Sequence, residues 1–336
     1  MNRLLIAVLL AVSASVLAAQ GANELVVEQD SLQFYSAFWP NLHNLLWAEA
    51  WARRPASASE PSPAGKLPEP LIGALTPEER AAWDEAISYY DREVADLNLL
   101  FEMGPIRKAM IAGTGALPTT GLEPEHRRVL MAAAPVYRKY WWPGHDRANR
   151  AWIAETASRV TALSPDVPDR LVRLYGTPWF TRPVRVDVVR IGSREGAYTS
   201  IDPAPAHITT SSGSPTNQGW AAAEVLFHES SHALVQPMIQ AFSAELRAQG
   251  KNSAAGPIGS RNVDLWHVAL FYLTGEVVRQ TLATRSVVYV PYLYQTGLLD
   301  RTWPRFKATL ETDWKRYVQG ETSRDEAIKN VVTSIK

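Results

Sequence analysis

Apolar residues recur along most of this chain at the three-to-four-residue spacing of helices. Leu32 to Ala52 carries Phe34, Tyr35, Phe38, Trp39, Trp47 and Trp51, and predicts an amphipathic helix rich in aromatics. Thr76-Pro77-Glu78-Glu79 combines an N-cap hydroxyl, a first-turn proline and a glutamate three residues on, so a long helix should begin there and run through Phe101. Further helices are expected at 105–112, 123–140, 146–162 and 167–175. Residues 55–70, with Pro55, Pro61, Pro63, Pro68 and Pro70 among small residues, read as a loop.

At Arg182-Pro183 the period changes from helical to alternating. Val184-Arg185-Val186-Asp187-Val188 predicts a strand, Gly192 to Gly196 a turn, and Ala197–Ile201 and Ala206–Ser211 two more strands. A polar loop, Ser212 to Gly219, leads into a helix that Pro237 disturbs or ends. Helices follow at about 238–249, 262–283, 302–319 and 323–335. The expected fold class is therefore α+β and mostly helical. A helical N-terminal region (19–181) precedes a region (182–336) whose small antiparallel sheet comes before the key helix.

Composition narrows the setting. The 336 residues carry 34 basic and 34 acidic side chains with no basic block, so nothing here suits nucleic acid. At 46% apolar residues the chain is globular, and its 12 tryptophans sit mostly in helical patterns where core packing accounts for them. Met1-Asn2-Arg3, the apolar run Leu4 to Val12 and the small-residue Val16-Leu17-Ala18 have the layout of a secretory signal peptide over 1–18, implying a secreted or periplasmic protein. That run is short for a membrane span, and no other stretch reaches ~18 uninterrupted apolar residues, so the mature chain should not cross a membrane. With no cysteine, disulfides and thiolate metal sites are excluded.

Chemistry concentrates in His228-Glu229-Ser230-Ser231-His232, an H-E-x-x-H motif inside the key helix. Residues four apart share a helix face, so His228 and His232 can hold one metal ion, with Glu229 at the flank to take a proton from water. A catalytic zinc site usually takes a third protein ligand. Val235 and Met238 stand three and six residues beyond His232, which removes the class whose third histidine lies six residues past the motif. Among later residues Glu276 is favoured, because it interrupts the nearly all-apolar helix Leu265 to Val278, where an ionised carboxylate needs a partner. An i,i+3 salt bridge to Arg279 is the plain alternative. Asp264 and His267 are rival ligands. His267 and Glu276 lie nine residues apart, about 180° around one helix, so both cannot easily face one ion.

On this motif residues 182–295 resemble the zincin metallopeptidases, and a downstream glutamate makes them similar to the gluzincin branch. The resemblance implies a zincin-like fold and Zn2+ held by His228, His232 and Glu276. It also implies Glu229 as general base and a peptide or protein substrate. A donor for the tetrahedral oxyanion would come from His267 or Tyr292, with Tyr289 and Tyr294 nearby in sequence. By the same resemblance the strand His207–Ser211 would line the cleft with an exposed edge for an extended peptide. Glu224 would orient a ligand or face water. The alternatives are an exported helical binding or scaffold protein with a structural or inactive site, and a zinc hydrolase of non-peptide amides.

Overall fold

The computed structural model describes residues 24–54, 74–99, 102–112, 115–117, 119–192, 196–201, 204, 206–254 and 261–335. The signal-peptide pattern and the proline-rich loop lie outside these residues. The chain divides into two compact units: Met1–Glu155 with Pro183–Asn217, and Thr156–Arg182 with Gln218–Lys336. The sheet therefore belongs with the N-terminal helices, and the boundary expected at 181/182 does not separate the two.

In the first unit, β1 (Leu25–Gln29) and β2 (Leu32–Tyr35) form an antiparallel hairpin. Its two-residue turn places Asp30 and Ser31 at positive φ, 49° and 70°, matching the right-handed twist of the strands it joins. Leu32 to Tyr35 is thus a strand, and α1 (Phe38–Ala52) starts later than the hydrophobic spacing suggests. Buried Leu32 and Phe34 alternate with half-buried Gln33 and Tyr35, and strand pairing overrides helical period there. Then come α2 (Pro77–Glu93), α3 (Gly104–Ala112), α4 (Pro124–Tyr140) and the start of α5 (Trp142–Leu163). The capping box at Thr76 forms as expected, with Glu79 N–H donating to Thr76 Oγ1 at 3.2 Å and Thr76 N–H to the Glu79 carboxylate at 2.9 Å. Leu42, Leu46, Ile87, Tyr90, Leu130 and Tyr137 from α1, α2 and α4 close one buried cluster.

Three strands complete the sheet: β3 (Val184–Val189), β4 (Ala197–Ser200) and β5 (His207–Ser211). The order is β1-β2-β3-β5-β4, with β2 and β5 parallel to β3 and β4 antiparallel to β5. The sheet is mixed rather than antiparallel, and it draws strands from both ends of the unit. β5 lies inside it, bonded to β3 and β4, so it has no free edge for an extended peptide; β1 and β4 are the edges. His207 donates its Nε2–H to Asp187 Oδ2, 2.6 Å away, in a structural role.

The second unit is helical. It contains α6 (Asp166–Tyr175), α7 (Gly219–Ser231), α8 (Gln236–Ala248), α9 (Leu265–Ala283), short helices at Tyr292–Gln295 and Leu298–Thr302, a helical run over 307–318 with a π turn at Leu310–Trp314, and a last helix, Arg324–Ser334. α9 is its axis. Trp314 donates its indole N–H to the Ala269 carbonyl at 3.0 Å, and Tyr175 hydrogen-bonds Thr274 at 3.2 Å. Among the described residues no helix is long and apolar enough to cross a membrane.

Candidate metal centre

Every residue of α7 from Ala221 to Ser231 is buried, as expected for a helix apolar on nearly all sides. His228 stands in its last turn. The helix closes on His232, whose N–H reaches the Glu229 and Ser230 carbonyls in a tightened turn. Pro237 therefore does not break this helix; it sits in the first turn of α8, where a missing N–H costs nothing. The i,i+4 spacing brings the two imidazoles to 4.9 Å between centroids.

α9 supplies the third imidazole. A 3-10 turn, Asn262–Asp264, leads into it, and His267 lies on its first turn. The His267 ring is 5.5 Å from that of His228 and 5.1 Å from that of His232. One nitrogen from each of the three lies within 4.8 Å of the others, a grouping able to hold a metal ion. One turn on, Phe271 stacks on His228 at 3.5 Å and 22°, and Tyr292 stacks behind Phe271. Trp266 and Trp303 meet His232 and His267 edge-on.

Burial, reinforced by the neighbouring imidazoles, holds His228 well below its ordinary value and His232 at about 3. Burial likewise lowers His267 to about 4, against a smaller opposing pull from Asp264. All three are neutral near pH 7, the form in which imidazole binds a metal. His228 Nδ1 is buried with no hydrogen-bond partner, an expensive state that a cation at the trio would relieve directly or by turning the ring. These residues fit a metal ion. Glu229 lies beside them, 6% exposed, its Oε2 4.0 Å from His232 Nε2.

Glu276 is not part of this grouping. Arg279 grips its carboxylate with two hydrogen bonds, at 2.9 and 2.8 Å, and Gln280 adds a third at 3.3 Å. The i,i+3 ion pair meets the need for a partner within α9, and the nine-residue offset turns Glu276 away when His267 faces α7. His267, expected as an oxyanion donor or a rival ligand, is the residue that stands with His228 and His232. Asp264 is held by Arg261 at 2.9 and 2.8 Å. Tyr292 is a wall and an anchor: its ring backs Phe271, and its N–H donates to Glu224 at 3.1 Å. The Tyr289 hydroxyl also goes to Glu224, at 2.7 Å, and that of Tyr294 to Glu311, at 3.0 Å. Glu224 thus neither orients a ligand by a hydrogen bond shown here nor faces water; it ties the segment after α9 to α7.

Phe271 is the neighbour that sequence reasoning passed over. Its signal was its place one turn after His267, on the same helix face. No protein-family model, curated protein or solved structure matches the chain.

Proposed function

We propose that this protein is a zinc-dependent hydrolase of amide bonds, a metallopeptidase of zincin type, with His228, His232 and His267 as ligands and Glu229 as general base. The observation that carries the reading is the meeting of three neutral imidazoles from two buried helices with the carboxylate of Glu229 beside them. Three imidazoles are an established catalytic zinc set, and here they replace the two-histidine, one-glutamate set of the gluzincin resemblance. A bound zinc would supply a Lewis acid and bring water's pKa near neutrality.

The chain's own groups do the rest. The imidazoles, uncharged at neutral pH, need shed no proton to bind. Glu229 takes the proton of the attacking water and delivers it to the leaving amine. Phe271, Trp266 and Trp303 line the trio with apolar surface, which strengthens electrostatic interactions there.

The test is elemental analysis joined to hydrolysis of a mixed peptide library. Purified protein should hold about one zinc per chain, and Glu229→Gln should keep that zinc while losing about 100-fold or more in cleavage rate. Protein that binds no zinc, or equal cleavage by both forms, would overturn the proposal.

A further inference from the structure

A strand-like segment of the second unit has no strand beside it. Val287-Val288-Tyr289-Val290-Pro291 carries no charge and is rich in β-branched and aromatic residues, which favour extended backbone. α9 closes just before it on Ser286, whose φ of 59° lies in the left-handed region. Ser286 N–H donates to the Ala283 carbonyl and Val287 N–H to that of Leu282, both at 3.0 Å, a closure that turns the chain off the helix. Residues 287–291 then run on without helix, turn or bend. Exposure alternates along them as on a strand with one covered face. Val287 and Tyr289 are half-buried and Pro291 buried, whereas Val288 is 97% and Val290 52% exposed.

Two features make this run an edge for a partner strand. In an extended chain the N–H and C=O of one residue point to one side and those of the next residue to the other. Val287 N–H turns back on α9, so the backbone groups of Val288 and Val290 lie on the opposite edge. Among the described residues nothing hydrogen-bonds the backbone of either valine. Free edges are usually blunted by charge or cover, and this one carries neither at Val288 and Val290. The second feature is position. The Tyr289 hydroxyl and the Tyr292 N–H hold Glu224 at 2.7 and 3.1 Å, one turn of α7 before His228. That turn rises about 5.4 Å and a paired peptide advances about 3.3 Å per residue, so one extended peptide reaches from the run to the histidine trio.

We propose that residues 287–291 are the docking strand of this protein, and that an extended peptide pairs with the edge of Val288 and Val290. The peptide's place as substrate rests on the peptidase reading above. Each valine offers one donor and one acceptor, and their exposed side chains pack against apolar side chains at alternate positions of the peptide. The substrate class is therefore unfolded or extended chain with alternating apolar residues. Tethering by Tyr289 and Tyr292 holds the edge in shape, which lowers the ordering cost of binding. Pairing across so few residues is too small an interface for a stable dimer of this chain.

The test uses the full-length Glu229→Gln protein, stripped of zinc, so that binding is read apart from metal and hydrolysis. The probe is a fluorescent heptapeptide of alternating threonine and valine with a lysine at each end. Binding should slow amide exchange at Val288 and Val290 and leave that of Tyr289 unchanged. Val288→Pro, which removes one free N–H at an exposed position, should weaken binding about three- to tenfold. Val288→Thr keeps that N–H and should bind as the parent does. No binding of the heptapeptide, binding without protection at the two valines, or equal binding by Val288→Pro would overturn the proposal. So would burial of the edge in a dimer of the free protein, seen by sedimentation.

Discussion

Glu276 and His267 occupy opposite sides of one helix, and substitution separates their roles. His267→Ala should weaken zinc binding by at least about 100-fold, beyond the range for an outer-shell partner, in competition with a chelating dye. Glu276→Ala should leave zinc content intact and instead destabilise the fold, since Arg279 is left without its carboxylate. Zinc loss in Glu276→Ala with retention in His267→Ala would reverse the assignment. Asp187 makes a second prediction at this scale. Burial alone pushes its carboxyl up, but Arg185 and the His207 hydrogen bond outweigh that and hold it well below the ordinary range. A depressed folded value means the stabilisation is fully present above the unfolded pKa of about 3.9 and lost as pH falls through the folded one. Asp187→Asn should therefore cost about 3 kcal/mol at pH 7, with the gap to wild type closing in strong acid, as read from denaturant melts.

α7, α9 and the segment leading to Tyr292 converge tightly on Gly275. A Cβ there would lie 2.8 Å from Pro291 Cβ and 3.0 Å from Glu224 Oε1, so only glycine lets the three approach. Gly275→Ala should cost about 1–3 kcal/mol and loosen the 285–292 segment, seen as faster amide exchange there. Burial raises the Glu224 carboxyl to about 7, against the lowering hydrogen bonds from Tyr289 and Tyr292. Here the folded state keeps a proton that the unfolded chain releases near pH 4.3, so stability falls as pH rises from there to about 7 and then levels. The drop should be roughly 3 kcal/mol in zinc-free wild type and absent in Glu224→Gln; a flat wild-type profile would refute it. Much at this scale was legible in the sequence. The capping box at Thr76 and the alternation of Val184 to Val188 are local patterns, and both elements begin where expected, although the helix stops at Glu93 instead of running through Phe101. Leu32–Tyr35 was misread because a strand's identity rests on its partner, here β3, some 150 residues away.

Across the molecule, every proposed ligand lies in the second unit. Zinc at a hundred times its dissociation constant should therefore stabilise the second unit by about 2.7 kcal/mol. Chelation should remove that gain, and amide exchange should show the protection in α7 and α9 rather than in the sheet. The sequence by itself determined what short-range geometry dictates: the helices and three of the strands, and the pairing of His228 with His232 and Glu229, set by 3.6 residues per turn. Only the tertiary structure decided which face of α9 meets α7, and so that His267 rather than Glu276 stands beside His228 and His232, and which strands neighbour β3. Those choices depend on contacts between residues far apart in the chain, and no local period encodes them.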